Sequence, residues 1–288
     1  MRSRLNGRGS LTPTSVIRLV LPAVLALASP RSAPAQQRAP TAALRYTAGQ
    51  LDCATFLEHS RARLLAETGG RRRRETLVRN GVLRFRAHPA GDDVAIEAWY
   101  DSLAVSRASP ETTLVPETDG LIGGRFRGTL SPSGRYAVVA RPFVPDEVAE
   151  VADMGGALED LLPLLPPRTP GAGQSWSDGA GLELRRLADS AATGRTIYRL
   201  ALRLRSRTDT ASIRGDTTRL PAAEVTTEEG RVDWDPERGL LRRTRHIVIE
   251  TSVPAGGPLK LPFRSRLEQE GELVRGPRVC EDGGPESK

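Results

Sequence analysis

Residues 144–178 read VPDEVAEVADMGGALEDLLPLLPPRTPGAGQSWSD, and this stretch divides two β-patterned halves. Val144, Val148, Val151, Leu158, Leu161, Leu162 and Leu165 recur at threes, fours and one seven, the spacing of one helix face. Pro145 and Asp146 stand where a helix start favours proline and a capping carboxylate, and Glu147 and Glu150 add first-turn negative charge. Gly155-Gly156 offers a break into two short helices, since each mid-helix glycine costs ~1 kcal/mol. Pro163, Pro166 and Pro167 end the run, because proline lacks the N–H and clashes with the preceding turn. A glycine-rich turn then leads to Trp176, expected as a core anchor at the start of a strand. Two readings stand for this hinge at 144–171. It covers a sheet as a helical plug, or it is a lid that moves about Gly155-Gly156.

Both flanks alternate with a period of two. Leu83, Phe85 and Ala87 share a face opposite Arg84 and Arg86. After the turn Ala90-Gly91-Asp92-Asp93, Val94, Ile96, Ala98 and Tyr100 share one face, while Trp99, Leu103 and Val105 give the other some apolar character. Phe126, Gly128 and Leu130 lead into Ser131-Pro132-Ser133-Gly134, and Tyr136, Val138 and Ala140 lead back. Beyond the hinge, Tyr198, Leu200, Leu202 and Leu204 oppose Arg199, Arg203 and Arg205, and Ile247, Ile249, Thr251 and Val253 follow the turn at 235–239. Leu259, Leu261, Phe263 and Leu267 alternate with charged residues. Such alternation with Gly/Pro/Ser punctuation predicts an antiparallel meander. The expected fold is mainly β: one or two curved antiparallel sheets, or a half-barrel, in halves of about 41–143 and 172–280, with one central helical segment packed on the sheet. The Pro–Gly turn shared by the halves suggests an internal duplication. Leu44 to Tyr46 reads as a first strand, and Cys53 to Thr68 as a strand in preference to a helix. Residues 207–220 read as a polar loop, and Arg71–Arg74 as a solvated loop edge, with a phosphate or lipid-headgroup contact as the alternative.

The ends set the compartment. Residues 1–35 carry Arg2, Arg4 and Arg8, then the apolar stretch Leu19–Ala28, then Ala33-Pro34-Ala35, the pattern of a secretory signal cleaved before Gln36. The mature domain is then 36–281, with a disordered tail at 282–288. No later run approaches the length of a membrane-spanning helix, so no transmembrane segment is expected in the mature chain. The chain of 288 residues has a net charge of +7 from 42 basic and 35 acidic residues. Removing the five arginines of 1–35 leaves 37 basic against 35 acidic, a charge that draws the chain neither to nucleic acid nor, as a whole, to an anionic membrane. Export to the periplasm or the extracellular space gives Cys53 and Cys280 a meaning: we expect a disulfide joining the first strand to the last.

No catalytic set emerges. His59, His88 and His246 are scattered, which argues against a metal site. Gly173 to Ser177 lacks the closing glycine of a nucleophile elbow. Asp233-Trp234-Asp235 lacks calcium-loop spacing, and the glycine-rich loop at 117–124 lacks the Lys-Ser/Thr of a P-loop. The expectation is a non-enzymatic protein with no cofactor.

Tyr46 and Gly49, the Leu/Pro-rich run Leu161–Pro167, and Gly173 to Trp176 resemble the motifs of an uncharacterised family of secreted bacterial β-rich proteins. The overall pattern also looks like the half-barrel carriers of the bacterial envelope, in which a curved sheet wraps a helix and holds acyl chains. That resemblance implies a lipid or an envelope protein as partner, with Tyr198, Leu200, Leu202, Leu204, Leu259, Leu261 and Phe263 as the apolar ligand face. A structural envelope component without a small ligand is the alternative, its Arg-rich strand faces meeting an acidic partner.

Overall fold

The computed structural model describes residues 43–152, 154, 157–192, 194–212, 219–256 and 260–280. The stretches expected as a signal (1–35) and a tail (282–288), together with Gly155-Gly156 and Leu259, lie outside these residues. In the first half, β1 (Thr55–Thr68), β2 (Arg71–Ala90) and β3 (Asp93–Ala108) are long, and β4 (Thr113–Leu114), β5 (Phe126–Leu130) and β6 (Tyr136–Ala140) are short. In the second half, β7 (Ser175–Ser177), β8 (Leu182–Arg186) and β9 (Ser190–Ala192) are short, and β10 (Arg195–Ser212), β11 (Arg219–Asp235), β12 (Gly239–Val253) and β13 (Phe263–Arg275) are long.

These strands form one curved, non-closed antiparallel sheet in the order β6-β5-β3-β2-β1-β13-β12-β11-β10-β8-β7, with β4 beside β3 and β9 beside β10. The two halves therefore share one sheet. Its centre is the pairing of β1 with β13, in register from Phe56 opposite Arg275 to Thr68 opposite Phe263. Cys53 and Cys280 lie just beyond the Phe56 end and form a disulfide with Cα atoms 4.7 Å apart. We call that end of the long strands proximal. The β1–β2 tip at Gly69-Gly70 and the β12–β13 link mark the distal end.

Three elements differ from the sequence reading. Leu44 to Tyr46 is not a strand: it is an irregular segment, and α1 (Ala48–Leu51) follows it. Arg71–Arg74 opens β2 instead of edging a loop, because each arginine pairs in register with Thr68 back to Leu65. Residues 207–212 and 219–220 extend β10 and β11, so the polar loop there is shorter than expected. The shared Pro–Gly turns join different ranks of strand, β5 to β6 and β11 to β12, and so do not mark equivalent positions of two copies.

One irregularity rearranges the core. The β2–β3 register slips between Val82–Ser102 and Leu83–Tyr100, leaving Asp101 as an extra residue. A bulge inverts the alternation beyond it. Leu103 and Val105 thereby join Val94, Ile96, Ala98 and Tyr100 in the core, while Trp99 alone faces outward. The Arg125 guanidinium covers the Trp99 ring at 3.6 Å.

The hinge becomes α2 (Asp146–Val151) and α3 (Ala157–Leu161), two short helices. The segment runs from edge strand β6 to edge strand β7, and so must cross the sheet. It crosses on the inner face, where Val148, Val151, Met154, Leu158, Leu161, Leu162 and Leu165 pack with Phe56, Leu83, Leu200, Val232 and Trp234. Trp176 is only half-buried, and the fully buried tryptophan is Trp234, edge-on to Tyr46 at 5.0 Å. Partners distant in sequence tie down the proline block and the residues after it. Tyr46 Oη–H donates to the Pro163 carbonyl (2.9 Å), the Leu165 N–H to the Ser133 carbonyl (2.9 Å), and the Leu44 N–H to Thr169 Oγ1 (2.8 Å).

Burial pushes the Tyr46 phenol well above its ordinary value, with Arg243 opposing in part. Burial, then the Glu58 carboxylate, pushes Tyr100 the same way. The unfolded chain ionises both near pH ~10 while the fold keeps them neutral. Their contribution is therefore complete below pH ~10 and is lost as pH rises toward the folded-state values. An absorbance titration should show Tyr46 and Tyr100 ionising only together with alkaline unfolding. Ionisation of all four tyrosines in a still-folded protein would contradict this burial.

Candidate functional site: the inner face beyond the plug

Register places Tyr100, Leu83 and Phe56 in one row across the inner face, and Leu103, Gly81, Glu58, Leu273, Arg243, Val232 and Leu200 in the next. The hinge leucines sit above these proximal rows. The space left below Leu161, beside Glu58, Arg243 and Leu273, is about 10 Å³, one water at most. The proximal face is therefore a filled core.

This outcome divides the expected ligand face. Tyr198, Leu200 and Leu202 are buried, and Tyr198 and Leu200 belong to the plugged core. Leu204 and Phe263 lie further along the strands and are half-buried, and Leu261 is 51% exposed beside the distal tip. Leu259 is outside the described residues. A period-two pattern cannot separate core positions from free ones on the same strand face. The crossing of the hinge decides that.

Along the distal margin of the plug, a polar belt crosses the inner face. Glu58 accepts from Tyr100 Oη at 2.7 Å and is ion-paired with Arg79. Arg79 also reaches the Met154 sulfur of the hinge at 3.9 Å. Gly81 makes this possible, since a Cβ there would meet the Tyr100 ring at 2.8 Å. On the other flank Arg243 Nη2 donates to Glu228 at 2.7 Å, and Gln269 Nε2 donates to Ser60 Oγ at 2.8 Å. Replacing Glu58 with glutamine keeps the shape but removes the buried carboxylate that pairs with Arg79 and accepts from Tyr100. The expected loss in a urea melt is about 1.5–3 kcal/mol, the range for a hydrogen bond to a charged group, against under ~1 kcal/mol for Glu272→Gln on the exposed outer pair with Arg242.

At and beyond the belt, aliphatic side chains return to the inner face, interspersed with Gln269, Glu228 and Glu75. Leu77, Ala62, Gln269, Ile247, Glu228 and Leu204 form one row, and Glu75, Leu64, Leu267, Ile249 and Thr226 the next. None of these aliphatic side chains belongs to the plugged core. Leu64, Leu77, Leu204, Ile249 and Leu267 are half-buried under the curvature of the sheet. This strip, flanked by Arg73–Glu75 and Arg107–Glu75 pairs, is the candidate site.

The outer face is a lattice of ion pairs. Arg84–Asp101, Arg127–Glu97, Arg203–Glu229, Arg242–Glu272 and Arg266–Glu250 join neighbouring strands, and His246 pairs with Glu268. These acids already meet many of the arginines that the sequence offered to an acidic partner. Among the described residues, no group of three His, Cys, Asp or Glu side chains is arranged to hold a metal ion, and no helix is long and apolar enough to cross a membrane.

No protein-family model matches the chain, and no curated protein matches it. Solved structures with a faint likeness to the chain include the following two. A Bacteroides fragilis protein of YmcC-like fold is 16% identical, with 73% of this chain and 93% of that one covered at a TM-score of 0.20. A DUF1329 family protein from Desulfovibrio piger is 10% identical, with 77% and 85% covered at a TM-score of 0.16. Scores this low carry no argument about this chain.

Proposed function

We propose that this chain is an exported, non-enzymatic protein of the cell envelope that binds a lipid or acyl chain on the distal inner face. The observation that carries the reading is the strip formed by Leu64, Leu77, Leu204, Ile249 and Leu267, left outside a core that the hinge has already filled. Apolar side chains on a concave surface with charged groups at the margin suit a ligand with an aliphatic body and a polar end. The disulfide and the signal-like residues 1–35 support export. A dansylated fatty acid titrated into the protein should bind saturably. Ile249→Glu and Leu267→Glu should each weaken it at least about tenfold, the cost of one charge set against an acyl chain, while outward-facing Val248→Glu should not. Unsaturable binding, or equal loss in all three variants, would overturn the reading.

The exposed edge strand β6 favours a second reading, a protein-interaction component without a small ligand. Val138 and Val139 there are 38% and 74% exposed, and an open edge accepts an added strand.

A further inference from the structure

The near-neutral total charge conceals a strong local imbalance. From Arg61 to Glu75 the β1–β2 hairpin holds six arginines and two glutamates. Arg63 and Arg74 lie on its outer face, diagonal to one another, with Leu65 opposite Arg74. Neither arginine has a hydrogen-bond or ion-pair partner among the described residues. They line a cleft of about 560 Å³ with Leu65, Thr76, Arg266 and the 108–110 segment, and Glu75 and Glu268, the latter opposite Arg63 on β13, leave the lining with three arginines against two glutamates. Leu65 is 40% exposed, although it sits among charges. Leu261, 51% exposed, lies against the hairpin tip, where a Cβ on Gly69 would meet its Cδ1 at 2.5 Å. The distal rim thus offers two leucines among guanidiniums, Arg71 and Arg264 included.

We infer that this rim docks on the surface of an anionic lipid membrane. Phosphate headgroups complement the guanidiniums, whose planar forks take phosphate oxygens in pairs. Each basic residue at such a surface strengthens the partition about fivefold, and an apolar side chain beside it enters the headgroup boundary. A free anion would use the arginines but leave the exposed leucines without a role. The rim is also the end nearest the distal strip, so docking would bring the proposed acyl site to the bilayer. The docking does not depend on that site.

The test is co-sedimentation of the oxidised protein with vesicles of phosphatidylglycerol and phosphatidylcholine in equal parts, and with phosphatidylcholine alone. Binding is expected only to the anionic vesicles. Arg63→Glu with Arg74→Glu should lower the partition at least about tenfold, and Leu65→Asp with Leu261→Asp should remove the part that survives high salt. Arg185→Glu, an exposed control on β8, and Ile249→Glu, which disables only the proposed acyl site, should leave docking intact. Equal binding to both vesicles, no loss in the Arg63/Arg74 variant, or an equal loss in the Arg185 control overturns the inference. So does full displacement by inorganic phosphate at matched ionic strength, which would mark a site for the free anion.

Discussion

Replacing Cys53 and Cys280 with serine should lower the free energy of unfolding by about 3–5 kcal/mol. The bond closes a loop spanning 227 residues, so the reduced unfolded chain gains far more freedom than it would from a short loop. Position adds to length. The bond sits directly beyond the β1–β13 pairing, the one seam that joins the flank β2–β6 to the flank β12–β7. Those two strands come from opposite ends of the described chain, so their pairing carries the highest closure entropy in the sheet. Urea melts of the oxidised and double-serine proteins would measure the effect. The oxidised protein should unfold in one transition. A loss below ~1 kcal/mol would mean that the β1–β13 seam holds without the bond.

The second large effect concerns the plug. Leu161 and Leu165 are 5% and 2% exposed and pack against the proximal inner face, so truncation of either to alanine should cost about 2–5 kcal/mol. Leu164, between them in sequence, is 37% exposed and faces away. Leu164→Ala should stay within about 0.5 kcal/mol of the parent. The contrast matters more than the absolute values, because a lid resting loosely on a preformed sheet would make all three substitutions cheap. The truncated proteins should also bind an apolar dye at the uncovered proximal face. Leu161 and Leu165 belong to the same buried cluster, so the combined truncation should depart from the sum of the two.

Much of this fold was legible because β alternation and proline placement act locally. Phe85, Val94, Phe126, Leu200 and Ile247 all face inward as the alternation requires. The central helix face was legible too, since its buried residues repeat at helical spacing. The bulge at Asp101 was not, because inserting one residue reverses the phase for Leu103 and Val105 without any glycine or proline to announce it. The strand character of Arg71–Arg74 was also hidden, as four like charges read as a loop until register supplies partners on β1. The candidate site was legible only in part. Leu204 is half-buried in the distal region and Phe263 packs there against Ala222 and Val253, but Tyr198, Leu200 and Leu202 have the same alternation and are buried. The difference comes from the path of the hinge from β6 to β7, a non-local fact that no strand pattern contains. The distal leucines Leu64, Leu77 and Leu267 come together only through pairing of β2, β1 and β13.

Native mass spectrometry of the protein purified from a periplasm, followed by organic extraction, tests the central claim most directly. The account predicts a folded species heavier than the oxidised polypeptide by one lipid-sized mass, recovered in the extract and lost in Ile249→Glu. A bare oxidised mass, unchanged when the protein is incubated with lipid, would contradict lipid binding and leave the β6 edge as the functional surface.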